Sequence, residues 1–204
     1  MIQMIKGTDI TLYTNGMAET VSNVLVGEPS ENGKIYTLAI PKGDAHSWTD
    51  RLVEIFGTKF RTIGFAEQGI EENIPLAWHK KVKVERLITN AICTLYEKDS
   101  FKRHIFYDVY THDARGEVVT KDGAKTSGDV KMLIYAVCNN SGYVPKIGDI
   151  ILDFECDFEF DSSSQQSVSE SMAQFRKSCP EFAVIKSVEH KTIGIKPDFD
   201  ITAR

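Results

Sequence analysis

Between Ile35 and Leu87 three short runs place apolar residues against polar ones in a strand-like rhythm: Tyr36, Leu38 and Ile40; Leu52, Val53 and Ile55; Val82, Val84 and Leu87. They are separated by Pro41-Lys42-Gly43-Asp44, by Gly57, and by a loop carrying Gly69 and Pro75. Alternation with period two between turn residues is the mark of half-buried antiparallel strands, because successive side chains point to opposite faces. This block constrains the fold more than any other stretch.

The chain before it continues the theme. Gly7–Tyr13 reads as a strand, Asn15-Gly16 as a tight hairpin turn, Val21–Val26 as a second strand and Glu28–Gly33 as a loop. Ile70–Ile74 is polar and acidic, and Pro75 favours a short turn there over a helix. The first half therefore predicts five or six short strands without a long helix, which suits a small barrel or sandwich.

From Ile88 the pattern restarts. Ile88–Asp99 echoes Gly7–Gly16, with Thr-Leu-Tyr in both. His104–Thr111, Asp129–Val137, Lys146–Asp161 and Phe182–Ile195 then follow in the order of the earlier strands, the last closing like Lys80–Leu87. This is a weak internal repeat of five strand-like elements. Asp113–Gly128 reads as a polar, mobile loop. Asp153, Glu155, Asp157 and Glu159 alternate with Phe154, Cys156, Phe158 and Phe160, predicting a strand with an acidic outer face and an aromatic core face. Val168, Met172 and Phe175 form an apolar stripe at helical spacing within Gln165–Ser178, with Ser162 or Ser163 as N-cap. Pro197–Arg204 reads as an extended, loose tail. The fold class is mostly β: two consecutive small barrel or sandwich modules, residues 1–87 and 88–204, the second with one added α-helix.

A net charge of -5 argues against a protein built to grip a phosphate backbone. No apolar run approaches the roughly 18–20 residues of a membrane span, and the first residues lack a signal-peptide pattern. A cytoplasmic chain with reduced thiols follows as the expectation. Cys93, Cys138, Cys156 and Cys179 have neither CxxC nor zinc-like spacing, so buried thiols are expected.

The segment Lys42–Asp50 gathers Asp44, His46 and Asp50, the composition of a His–carboxylate base or a partial metal site. No third strong ligand lies nearby, and the bland reading is a strand connection turned by Gly43 with Trp48 anchored in the core. No nucleotide, zinc-protease or nucleophile-elbow motif occurs. Lys80, Lys81, Lys83 and Arg86 place four positive charges in seven residues, a solvated strand face or a partner contact. Lys121 and Lys125, in the Asp113–Gly128 loop, are further contact candidates.

Four blocks in order, Asn23–Ser30, Tyr36–Trp48, Val53–Gly64 and Gly69–Arg86, make the stretch Ile5–Leu87 resemble the head–tail joining (head-closure, head-completion) proteins of long-tailed phages and prophages. Thr14–Thr20 is shorter than the insertion that family carries. Ile88–Asp99, Ser127–Tyr135 and Ile147–Glu159 are similar to a second protein encoded beside such joining proteins. The resemblance implies a virion structural protein without catalytic role, metal or cofactor. It implies a homo-oligomeric ring between portal and tail, with DNA at most passing through and no membrane contact. Assembly would occur in the host bacterial cytoplasm, ending in the virion neck. The alternatives are a soluble two-domain β binding scaffold and a metal-dependent hydrolase centred on Asp44, His46 and Asp50.

Overall fold

The computed structural model describes residues 6–14, 16–30, 32–69, 77–113, 116–120, 123–127, 129–192 and 197–204. The turn expected at Ile70–Ile74, and the residues Asn15 and Lys121, lie outside the described residues. The chain divides into two compact units, meeting in sequence at Leu87 and Ile88. Among the described residues no helix is long and apolar enough to cross a membrane.

In the first unit the alternation becomes six strands: β1 (Thr8–Thr14), β2 (Met17–Val26), β3 (Ile35–Pro41), β4 (Leu52–Ile55), β5 (Thr58–Gln68) and β6 (Trp78–Arg86). They close into a barrel in the order β1-β2-β3-β6-β5-β4. Closure pairs every strand on both sides and so removes the exposed edges that recruit other chains. Ile10, Leu12, Val24, Leu38, Ile40, Val53, Val82 and Val84 fill the interior, and Trp48 is buried with them. The β4–β5 connection is a two-residue hairpin with Ile55 opposite Thr58. Its residues Phe56 and Gly57 are both left-handed, with φ of 50° and 76°, as the twist of a tight hairpin demands.

The second unit holds β7 (Ala91–Tyr96), β8 (Arg103–Asp113), β9 (Gly116–Thr120), β10 (Gly123–Ser127), β11 (Val130–Ile134), β12 (Ile150–Leu152), α1 (Gln165–Ser178), β13 (Ala183–Lys191) and β14 (Asp198–Ala203). Its barrel runs β7-β8-β11-β14-β13-β12. With the β9–β10 hairpin set aside, this is the cyclic order of the first barrel, strand for strand. A bulge recurs with it. In the first unit Ser22 and Asn23 face the single residue Asp9; in the second, Tyr107 and Asp108 face Ile92. The two bulges share a left-handed residue, Asn23 at φ 61° and Asp108 at φ 59°. The repeat thus covers six strands, one more than the sequence reading counted.

Several expectations are corrected. Pro197–Arg204 is no loose tail: Asp198–Ala203 is β14, hydrogen-bonded between β11 and β13, with Phe199, Ile201 and Ala203 buried. Ala183–Lys191 therefore corresponds to β5, not to the closing strand. Asp113–Gly128 is not an irregular loop, since β9 and β10 pair over five residues with Gly123 opposite Thr120. Asp153–Phe160 is not a strand. The ladder of β12 ends at Leu152 opposite Thr94, and the chain then peels away from the sheet. Its backbone is served by side chains instead. Thr94 Oγ1 donates to the Phe154 carbonyl (2.8 Å) and accepts from Cys156 N–H (2.9 Å). Tyr96 hydroxyl donates to the Phe158 carbonyl and Arg103 to the Cys156 carbonyl.

That departure makes a second core. Phe175, fully buried on α1, packs against Tyr96, Phe158, Phe160 and Phe182 with ring centroids 5.1–5.5 Å apart. Phe158 and Phe160 do turn inward as expected, whereas Phe154 is exposed. The helix is capped by Ser164, whose hydroxyl accepts the Ser167 N–H at 3.0 Å, rather than by Ser162 or Ser163. Ser164 is the residue directly before the first helical turn, where the free amides point.

Candidate functional site

The stretch after β3 is the one place where the sequence concentrates chemically useful groups, and its geometry follows from a turn. Gly43, at φ 79°, reverses the chain after Pro41. The Lys42 N–H bonds to the Ala77 carbonyl at the start of β6. Asp44 is thereby carried under the end of the barrel, with its side chain only 2% exposed.

A buried carboxylate needs donors, and Asp44 has three. Trp48 Nε1 donates at 2.8 Å, Lys80 Nζ at 3.2 Å, and His46 Nδ1 lies 2.5 Å away. Lys80 Nζ also donates to the Asp44 main-chain oxygen at 2.5 Å. On its other side His46 Nε2 is 3.0 Å from the Glu19 carboxylate of β2. The carboxylate that joins this cluster across the sheet is thus Glu19. Asp50 lies in the turn leading to β4, with a left-handed backbone at φ 49°.

The electrostatics follow. Burial pushes the Asp44 carboxyl up, but the hydrogen bonds from Trp48, His46 and Lys80 outweigh it and hold the group below the ordinary carboxylate range. The bond to Asp44 raises the His46 imidazole above its usual value, opposed by partial burial and reinforced by Glu19. Both ring nitrogens of His46 are already engaged, Nδ1 by Asp44 and Nε2 by Glu19. The arrangement serves as a clamp, tying the Lys42–Trp48 segment to β2 and β6. Among the described residues, no group of three or more His, Cys, Asp and Glu side chains could hold a metal ion.

The basic run splits in two. Lys80 is a buried member of the clamp, not a partner contact: on β6 it shares the inward parity of Val82 and Val84. Lys81 and Lys83 are exposed on the outer face, and Arg86 is exposed at the strand end. Lys83 reaches Glu67 of β5 at 3.9 Å, a pair of little energetic weight at such exposure. Lys125 sits on β10 opposite Val118. Of the loop Glu28–Gly33, Ser30 and Gly33 form a hydrogen-bonded turn, with Ser30 N–H to the Ile35 carbonyl at 2.7 Å. The acidic row of the second unit is partly neutralised by Arg103, 3.2 Å from Asp157 and 2.9 Å from Glu159.

Sequence reasoning missed Glu19 and Lys80 as partners of His46 and Asp44. They come from strands distant in the chain, and only the barrel order brings β2 and β6 to either side of β3. It also missed the approach of two thiols in the second unit, Cys156 Sγ and Cys179 Sγ at 3.5 Å.

No curated protein and no solved structure matches this chain. A family profile does match residues 88–204, more than half the sequence, covering the second barrel with its hairpin and helix; it is described only as a family of unknown function. The chain belongs to that family, DUF6751.

Proposed function

We propose that this protein is a structural subunit of a tailed-phage or prophage head–tail junction, joining the portal to the tail as part of a ring. The observation that carries the reading is the resemblance of Ile5–Leu87 to head-closure proteins, running in order through Asn23–Ser30, Tyr36–Trp48, Val53–Gly64 and Gly69–Arg86. Two features are compatible with it. Both barrels are closed, so their own strands present faces and connecting loops rather than pairing edges, and the open edges are those of the β9–β10 hairpin. The polar cluster at Asp44 is spent on clamping the fold. Ring assembly is of the head-to-tail kind, in which different surfaces of one protomer meet on its neighbours. Lys81, Lys83 and Arg86 are the exposed positive groups offered to an acidic neighbour or to DNA passing through.

The test is genetic and visual. A nonsense mutation in the gene of a phage that carries it should yield DNA-filled heads and separate tails by negative-stain microscopy. Adding the purified protein to the lysate should join them. Normal virions without the protein, or heads and tails that stay apart after its addition, would overturn the reading.

A further inference from the structure

We propose that Cys156 and Cys179 form a latent disulfide site, a covalent staple between the extended segment Asp153–Phe160 and the C-terminus of α1. The argument is independent of the function proposed above.

The two sulfurs are in contact at 3.5 Å although the residues are far apart in sequence. Cys179 is the C-cap of α1, its N–H bonded to the Phe175 carbonyl. Cys156 is held by its backbone, N–H to Thr94 Oγ1 and carbonyl to Arg103. Each thiol is thus fixed by a main-chain anchor, so bond formation at about 2.0 Å requires a small closing movement and no rearrangement of the barrel. Both are thiols rather than half-cystines, and both are buried, as Cys93 and Cys138 are. Burial of the pair differs in kind from that of Cys93. Cys93 lies within the ladder of β7, between β8 and β12. Cys156 lies in a segment held by side-chain rather than ladder hydrogen bonds, so reaching it requires no unpairing of strands.

The oxidant is a small-molecule disulfide such as oxidised glutathione. One cysteine, as thiolate, attacks a sulfur of the oxidant, breaking its S–S bond and releasing one glutathione thiolate. The second cysteine then attacks the mixed disulfide, forming the Cys156–Cys179 bond and releasing the other. The two thiol protons end on the two glutathione molecules, and the protein loses two electrons that the oxidant gains. Burial pushes the Cys179 thiol up, so the exchange is favoured by alkaline conditions.

The experiment uses the full chain, folded, with excess oxidised glutathione at mildly alkaline pH, followed by alkylation in denaturant and peptide mass mapping. The expected result is loss of two of the four thiols, a cross-linked peptide joining Cys156 to Cys179, and a melting temperature several degrees higher. Dithiothreitol should restore all four thiols and the original melting point. Four thiols surviving the oxidant, a cross-link through Cys93 or Cys138, or a mixed disulfide that never resolves would overturn the proposal. Cys179→Ser should abolish the cross-link. Should that variant not fold, the wild-type map and its reversal by dithiothreitol decide the matter alone.

Discussion

Asn23 and Asp108 occupy the same place in two barrels: each is the left-handed residue of the bulge in a second strand, at φ 61° and 59°. Asparagine and aspartate tolerate this conformation better than other residues with a Cβ. In the first unit the side chain does further work, because Asn23 Oδ1 accepts the Gly7 N–H at 2.9 Å. Asn23→Gly removes only that exposed hydrogen bond and should cost about 0.5 kcal/mol. Asn23→Val adds the strain of a branched side chain at positive φ and should cost about 2 kcal/mol. Urea midpoints that rank valine at or above glycine would show that the bulge is not held in this conformation.

The clamp at Asp44 makes a sharper demand. Lys80 and Asp44 are 10% and 2% exposed at their side chains, so removing the lysine leaves a buried carboxylate short of one donor. Lys80→Ala should therefore cost about 3 kcal/mol, while Lys81→Ala, one residue along and exposed, should stay within about 0.5 kcal/mol. Chemical denaturation of both variants checks it. Equal effects would mean that Lys80 is the surface charge that the sequence suggests.

The same cluster sets a pH dependence. His46 has its imidazole raised above the ordinary 6.5 by Asp44 and Glu19, so its contribution is complete below that value and declines as pH climbs through the raised one. Asp44 is held below the ordinary 3.8, so its contribution is present above that value and is lost as acid passes through the lowered one. Stability from this cluster should be greatest between 3.8 and 6.5. His46→Gln should flatten the decline above pH 6.5 and leave an acid-side loss that Trp48 and Lys80 still set. An unchanged slope in the variant would place the titrating group elsewhere.

Ser164 caps α1, and the cap separates neighbouring serines that the sequence alone leaves equivalent. Ser164→Ala should lower stability by about 1 kcal/mol. Ser162→Ala should fall within about 0.5 kcal/mol. Helicity and melting of the two variants distinguish them.

What the sequence made legible divides along a physical line. Alternation is readable where a strand has one wet and one dry face, as in β3 and β6, and there the expected strands are the observed ones. Asp153–Phe160 has the same alternation without a neighbour to pair with, because strand identity lies in hydrogen bonds that a single segment does not contain. The helix Gln165–Ser178 was readable from Phe175 and Met172, since helical periodicity is local. The clamp was half readable: Asp44, His46 and Trp48 are close in sequence, but Glu19 and Lys80 reach them only once the barrel has closed.

The last strand shows the same limit and supplies the strongest test. Asp198–Ala203 follows Pro197 at the end of the chain, short enough to pass for a tail, yet it is the sixth strand of the second barrel. Asp198, itself buried, accepts the Ala136 N–H at 2.9 Å, and Phe199, Ile201 and Ala203 enter the core between β11 and β13. Removing residues 197–204 would unpair both neighbours and expose two open edges beside an apolar interior. That loss exceeds what a barrel of this size can absorb, since whole-domain stability is commonly about 5–15 kcal/mol. The truncated chain should lose cooperative melting of its second unit and aggregate, while keeping protease resistance across the first barrel. A truncated protein that melts with the full-length transition would show the terminal strand to be dispensable.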